Sequence, residues 1–172
     1  MSAACAVSES TILLVTFSVN EGMYAIDASR VQEVIRPRAM SGVPHATGAV
    51  LGVINLRGRI VTVFDAGALL GEDSTVPGSG GFDENRIIIV NNQGEFVGLM
   101  VERVTEVLEA ESGTSEPAPA NVSGEKSLLF SEVYRVNGRV VALLDTEAML
   151  QSEAACRGQR GKANESSRPR SG

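Results

Sequence analysis

Short apolar runs rich in Val, Ile and Leu, separated by Gly, Asn, Pro and Ser, dominate the chain from Ile12 to Leu150. Such runs, bounded by turn-forming residues, are typical of β-strands. The pattern therefore predicts an all-β protein with little room for helices. The predicted strands are Leu13 to Val19, Met23 to Ile26, Val31 to Ile35, Val50 to Asn55, Ile60 to Phe64, Arg86 to Val90, Glu95 to Val101, Val104 to Leu108, Leu128 to Val136 and Val140 to Leu144.

Three short helical segments are predicted between or after these strands. They follow Ile26, span 66–70 and span 146–152, and Thr146 is a candidate cap for the last of them. Two long polar segments, 70–85 and 111–126, are rich in Pro, Gly and Ser. Loops of that length in a compact domain tend to be functional or mobile.

Two aspartates, Asp65 and Asp145, each end a predicted strand just before a helical segment. Paired aspartates in related β lobes can share a proton in acid–base catalysis. Aspartic proteases carry Asp-Thr-Gly or Asp-Ser-Gly in both lobes, whereas this chain has Asp-Ala-Gly and Asp-Thr-Glu. We therefore expect both side chains to cap the helices that follow them and neither to be catalytic.

The second half of the chain repeats the first, which indicates two related units. Two pairs of segments match: "GRIVTVFDAGALL" from Gly58 with "GRVVALLDTEAML" from Gly138, and "VNEGMYAIDASRVQEVI" from Val19 with "NNQGEFVGLMVERVTEVL" from Asn91. In the second pair Glu33 corresponds to Glu106. We expect two five-strand units, at about 12–70 and about 86–150, which share a core or pack closely around a groove and between which terminal strands could be exchanged. A groove between related lobes is a natural binding site.

Composition narrows the functional class. A net charge of −6, a pI near 4.9 and the absence of Trp argue against nucleic-acid binding, which needs a basic surface. The apolar runs are far shorter than the about 20 residues of a membrane span, so we expect a cytoplasmic protein. Cys5 and Cys156 lack partners at metal-ligand spacing, and no metal or cofactor is expected.

The two ends of the chain differ from its centre. Residues 1–11 are expected to be a flexible N-terminus. Residues 151–172 form a basic tail, and its segment 157–172 carries a charge of +4 against −10 for the rest of the chain. Its Gly, Ser and Arg content favours disorder. The alternative is an electrostatic tether to an acidic surface.

Enzyme motifs are scarce in this sequence. It has no phosphate-binding glycine loop, no Gly-x-Ser-x-Gly and no His-Glu-x-x-His. The single histidine, His45, lies between Pro44 and Gly48 without a recognisable nucleophile or orienting carboxylate. A loop histidine with no catalytic role is the preferred interpretation.

An Asn-Leu-Arg-Gly tetrapeptide joins two predicted strands in "GVINLRGRIVTVFD", from Gly52 to Asp65. Such a junction predicts a hairpin or tight corner. We expect Asn55 and Gly58 to adopt unusual backbone angles and Arg57 to lie at the exposed tip.

Four segments in order carry a family resemblance. They are "YAIDASRVQEVI", "VLGVINLRGRIVTVFDAGALLG", "RIIIVNNQGEFVGLMVERVTEVL" and "NGRVVALLDTEAML". From about Ile12 to Leu150 the chain resembles the CheW-type chemotaxis coupling proteins and the related regulatory domain of the histidine kinase CheA. The resemblance implies two five-stranded, SH3-like β-barrel subdomains packed around a groove, with short helical turns. This chain differs from the family pattern at Thr62, often Pro, and at Ala66, often Leu.

The resemblance also implies a function. Family members are non-catalytic adaptors that bind the cytoplasmic tip of a chemoreceptor and the regulatory domain of a CheA-type histidine kinase, so they are recruited to membrane-associated receptor arrays without inserting into the membrane. The expected receptor-binding residues are Val31, Glu33, Ile35, Asn55, Leu56, Arg57 and Gly58. The expected kinase-binding residues are Ile87, Ile88, Val101 and Val104.

Alternatives remain open for these residues and for the function. Each member of the kinase-binding set fits a core position as well as an interface. Glu33 and Arg57 could form an exposed ion pair that contributes under about 1 kcal/mol to stability and meets no partner. The alternative function is a β protein that binds a small ligand or peptide in the groove between its units.

Overall fold

A computed structural model describes residues 10–46, 48–72, 83–117 and 129–151 of the 172-residue chain. The described part holds ten strands at the predicted places. They are β1 (Thr11–Val19), β2 (Gly22–Asp27), β3 (Val31–Ile35), β4 (Val50–Leu56), β5 (Arg59–Asp65), β6 (Arg86–Asn92), β7 (Glu95–Val101), β8 (Arg103–Glu111), β9 (Phe130–Val136) and β10 (Arg139–Leu144). The prediction of an all-β fold is confirmed. The N-terminus, the basic tail, both cysteines and most of the two polar loops lie outside the described residues.

Three short helical segments are also present where they were predicted. They are a 3-10 turn (Ala28–Arg30), α1 (Ala66–Leu70) and α2 (146–151). No helix in the described ranges is long and apolar enough to cross a membrane.

The two aspartates cap the helices, as predicted. The Oδ1 atom of Asp65 accepts hydrogen bonds from the backbone N–H of Gly67 at 2.9 Å and of Ala68 at 3.5 Å. Asp145 does the same for the second and third residues of α2, at 3.0 and 3.1 Å. The prediction that Thr146 is the cap is wrong, because Thr146 is the first helical residue and Asp145 supplies the capping oxygen.

The strands form two five-stranded sheets that interleave along the chain. The central sheet has the order β3-β6-β7-β5-β4, and the terminal sheet, built from both ends of the described chain, has the order β8-β1-β2-β10-β9. The two orders correspond strand for strand under the sequence repeat. Sheet membership nevertheless departs from the contiguous units 12–70 and 86–150, because β1 and β2 pair within the terminal sheet while β6 and β7 pair within the central one. The halves of the repeat therefore exchange strands.

In each sheet, the segment that follows one edge strand is bridged to the opposite edge strand. After β3 the chain reaches β4, where Ser41 and Val53 exchange two backbone hydrogen bonds of 2.9 Å. After β8 the chain reaches β9, where Glu116 and Val133 exchange bonds of 2.8 and 2.9 Å. These paired bridges give both sheets the same closed shape, as the repeat predicts.

Three apolar clusters result from this arrangement. One fills the central sheet, one fills the terminal sheet, and the third lies between the sheets and contains side chains from both. Strand β6 serves two of them, because Ile87 and Ile89 belong to the central cluster while Ile88 and Val90 belong to the shared cluster. Alternating side chains point to opposite faces of a strand, so β6 is buried on both faces.

Two tyrosines in these clusters have raised pKa values. Burial raises the pKa of Tyr134 to about 12, and the hydrogen bond that its hydroxyl donates to Glu132 acts in the same direction. Burial, with a smaller effect of Glu72, raises the pKa of Tyr24, which stacks between Phe17 and Phe130. The raised pKa values keep both hydroxyls protonated at physiological pH.

The closing bridge of the central sheet makes a specific demand on Gly52. A Cβ atom at this position would lie 2.7 Å from the carbonyl oxygen of Ser41, which is a backbone atom and cannot rotate away. We expect Gly52→Ala to lower the free energy of unfolding by about 1–3 kcal/mol, the usual cost of overpacking. Gly42→Ala is the matched control, because no atom lies within 4 Å of a Cβ there. Urea denaturation of both variants measures the difference, and equal stability would contradict this role of the bridge.

Candidate functional site

The β4–β5 hairpin carries the Asn-Leu-Arg-Gly tetrapeptide. Leu56 pairs with Arg59 across a two-residue loop, and the loop residues Arg57 and Gly58 have φ angles of 52° and 81°. Positive φ at both central residues is typical of the type I′ turn that joins tightly twisted strands. The corner and its exposed arginine are confirmed.

Asn55 acts differently from the prediction. It is a strand residue, and the left-handed backbone angles fall on Arg57 and Gly58 instead. Its side-chain Oδ1 accepts a hydrogen bond of 2.8 Å from the N–H of Gly58. The same turn geometry recurs at the β6–β7 hairpin. There the Oδ1 atom of Asn91 accepts a hydrogen bond of 2.8 Å from the N–H of Gly94, and Gln93 has a φ of 51°.

An ion pair joins this turn to the opposite edge of the central sheet. The Nη2 atom of Arg57 lies 3.2 Å from the Oε2 atom of Glu33 on β3, and the two side chains are 78% and 23% exposed. Exposed pairs of this kind contribute little to stability, about 0–1 kcal/mol. Its clearest consequence is geometric, because it fixes a positive and a negative group side by side on the surface.

A cavity of about 410 Å³ lies beside the ion pair. Among the described residues, its lining comes from the central sheet and the β4–β5 turn: Gln32, Glu33, Leu56, Arg57, Arg59, Val61 and Phe96. The apolar residues supply a hydrophobic wall, and the charged residues stand at the rim. The cavity can therefore accept a side chain that has both an apolar and a polar part.

Four of these lining residues were not among the predicted site residues: Gln32, Arg59, Val61 and Phe96. The guanidinium of Arg59 lies over the ring of Phe96, with 4.8 Å from Cζ to the ring centroid. Arg59 is on β5 and Phe96 is on β7, and these strands pair in parallel. That pairing depends on the strand exchange between halves, so sequence spacing carried no signal for it.

The other predicted receptor-binding residues lie around this cavity in different ways. Val31 is half-buried against the shared cluster, and Ile35 is half-buried against the central cluster. Both support β3 from within. Glu33 and Arg57 are the charged residues of the predicted set, and both have solvent-exposed side-chain surface. Leu56 contributes to the apolar wall of the cavity.

The predicted kinase-binding residues are mostly interior. Ile87, Ile88 and Val101 are each 0% exposed, and Val104 is half-buried against the shared cluster. A side chain without exposed surface cannot make a direct contact with a partner, so the interface interpretation of the first three needs correction. Ile87 and Ile88 point to opposite faces of β6. Both are enclosed because β6 is covered on both faces.

The space between the units does not hold the cavity. The shared cluster fills it, and a small gap there, lined by Val90, Thr146 and Met149 among others, leaves no room for a water molecule. His45 lies in an exposed turn. Among the described residues, no group of three side chains of the metal-binding types is close enough to hold an ion.

Comparison with known proteins agrees with the geometry. The family model described as the CheW-like domain matches residues 13–154. The chain is 28% identical to the chemotaxis protein CheW of Rhizobium meliloti over 81% of its own length and 88% of that protein, and 28% identical to that of Bacillus subtilis over 83% and 88%. The crystal structure of the scaffolding protein TtCheW from Thermoanaerobacter tengcongensis superimposes with a TM-score of 0.70 at 27% identity, covering 80% of this chain and 86% of that one.

These matches define the class as an all-β scaffold of chemotaxis rather than an enzyme. The chain belongs to the CheW-like domain family. The predicted resemblance is confirmed. The prediction of a non-catalytic protein is confirmed as well, because the relatives are named chemotaxis and scaffolding proteins.

The strength of the Glu33–Arg57 pair can be measured directly. We expect a double-mutant cycle with Glu33→Gln and Arg57→Asn to give a coupling under about 1 kcal/mol in the free energy of unfolding. Asn tolerates positive φ, so the second change removes the charge and keeps the turn. Urea denaturation of the four proteins gives the coupling. A value of several kcal/mol would mean that the pair holds the barrel together and is not primarily a surface feature.

Proposed function

We propose that this protein is an adaptor that couples chemoreceptors to a CheA-type histidine kinase. The observation that carries the proposal is the exposed Glu33–Arg57 pair beside an apolar-walled cavity. These two residues occupy the positions that the family resemblance links to receptor coupling. Family membership supports the scaffold role, and the cavity supplies a place for a partner.

The chemistry of the site suits a protein partner. Affinity in such interfaces comes from a few buried anchors, while charges fix the register and exclude wrong partners. Leu56 and Phe96 offer apolar surface, and Ile60 on the neighbouring outer face is 68% exposed. Glu33 and Arg57 provide the charges. We therefore assign the receptor tip to this edge of the central sheet.

The kinase contact is assigned to another surface. Ile87, Ile88 and Val101 would influence it only through packing, because they are buried. Val104 borders the shared cluster on β8 and retains some exposure. In this proposal the protein works at receptor arrays on the cytoplasmic side of the membrane.

A second candidate function is the binding of a small ligand or peptide without a kinase. The cavity of about 410 Å³ favours it, because that volume lies within the range of small-molecule sites. The cavity lies within the central sheet, whereas the sequence predicts a groove between the units. A ligand that raises the midpoint of thermal unfolding in the absence of a kinase would support this candidate.

The adaptor proposal predicts that a substitution at this site can weaken receptor–kinase coupling without destabilising the fold. In a mixture of receptor-tip fragment, CheA-type kinase and this protein, we expect Arg57→Asn to reduce receptor-controlled kinase activity at least about tenfold, because a charge that fixes the register is lost. Phosphorylation of the kinase is the measurement. The thermal midpoint should stay close to that of the wild type.

Gln93→Asn is the matched control for this experiment. Gln93 occupies the same turn position in the β6–β7 hairpin, with a similar φ of 51°, and it lies outside the cavity. This variant should couple as the wild type does. Equal activity of Arg57→Asn and wild type would contradict the assignment of the receptor to this site.

A further inference from the structure

We propose that Arg59, held in place by Phe96, binds an acidic side chain of the receptor tip. The inference rests on the proposed function and adds to it the chemistry that the partner must present. That chemistry is an Asp or Glu carboxylate flanked by apolar residues, which enters the cavity from the rim.

The charges at the cavity rim are not balanced. Glu33 and Arg57 neutralise each other at 3.2 Å, which leaves the charge of Arg59. Within the described ranges, no carboxylate oxygen lies within 4 Å of the Arg59 guanidinium, and its one recorded interaction is with the ring of Phe96. The rim therefore carries a local positive charge in a protein whose net charge is −6.

The repeat supplies an internal comparison. Gly138-Arg139 on the terminal sheet corresponds to Gly58-Arg59, and Glu106 corresponds to Glu33. On the terminal sheet, the Nη1 atom of Arg139 lies 4.0 Å from the Oε1 atom of Glu106. On the central sheet, the corresponding glutamate is Glu33, and it pairs with Arg57. Among the described residues, no carboxylate therefore pairs with Arg59. Arg59 and Arg139 thus occupy equivalent hairpin positions. Arg139 has a carboxylate nearby, whereas Arg59 has none in the described part of the chain.

Stacking on Phe96 prepares Arg59 for a carboxylate. A guanidinium over an aromatic face is attracted by the electrons of the ring, and its N–H groups stay free at the edge of the plane. Those donors match the two oxygens of a carboxylate, and an arginine that is already ordered loses less rotamer freedom on binding. Leu56 beside it is half-buried and can receive the methylene groups of the entering side chain.

Binding of receptor fragments tests the inference. The probes are soluble cytoplasmic-tip fragments of the chemoreceptors from the same organism, and the readout is the dissociation constant at several salt concentrations. We expect Arg59→Gln to weaken binding at least about tenfold and to reduce its salt dependence, since a charged contact is removed. Phe96→Leu should give a smaller loss, because the guanidinium remains but is no longer held. Arg139→Gln is the matched control and should bind as the wild type does.

A charge reversal identifies the partner residue. Each acidic residue of the fragment is changed to Lys and measured against wild type and Arg59→Glu. One such change that weakens binding to the wild type and restores binding to Arg59→Glu would establish the pair. Circular dichroism and thermal unfolding of each variant confirm that it is folded.

The outcomes separate this inference from the proposed function. Unchanged binding by Arg59→Gln, together with weakened binding by Arg57→Asn, would overturn the role of Arg59 and leave the receptor site in place. Stabilisation of the wild type by free glutamate, with receptor binding indifferent to Arg59, would also overturn it and assign the cavity to small carboxylates. Failure of the wild type to bind any folded fragment would overturn both proposals.

Discussion

The rest of the structure depends on the apolar cluster that the two sheets share. It contains side chains from both halves of the repeat, including Phe17 and Ile26 from the terminal sheet and Ile88 and Leu99 from the central sheet. A domain of this size must bury a large fraction of its apolar surface, and two small barrels reach that fraction better together than apart. The shared cluster makes the two sheets one packed body.

This burial limits where a partner can bind. Strands β6 and β7 lie inside the central sheet, and β6 has both faces covered, so neither offers a free apolar face. Within the central sheet, charged side chains that can contact a partner lie on the edge strand β3 and in the β4–β5 turn. The Glu33–Arg57 pair links those two elements, and the cavity opens beside it. A weak surface ion pair thus marks a part of the central sheet where charge, exposure and a concave surface coincide.

Local features of the structure could be predicted from the sequence. Strand positions follow from alternating apolar runs, and the aspartate caps follow from acidic residues that stand just before short helices. The exposed position of Arg57 follows from Asn and Gly around it. Each of these depends on interactions between residues close in sequence, which a single chain displays directly.

Long-range features could not be predicted in the same way. A repeat shows which strands are equivalent, but it does not tell which copy of a strand joins which sheet. Packing determines that β1 and β2 join the terminal sheet while β6 and β7 join the central sheet. Only this exchange brings Arg59 on β5 near Phe96 on β7. The burial of both Ile87 and Ile88 has the same cause. Alternation of apolar and polar residues identifies the buried face of a strand only when the other face meets water, and neither face of β6 does.

The proposed adaptor role requires this chain to bind a histidine kinase, so capture of that kinase is the decisive experiment. The measurement is the binding of the full chain to the isolated regulatory domain of each CheA-type kinase from the same organism, with the stoichiometry determined by analytical ultracentrifugation. We expect a stoichiometric complex with at least one of these domains. The absence of a complex with every domain shown to be folded would contradict it.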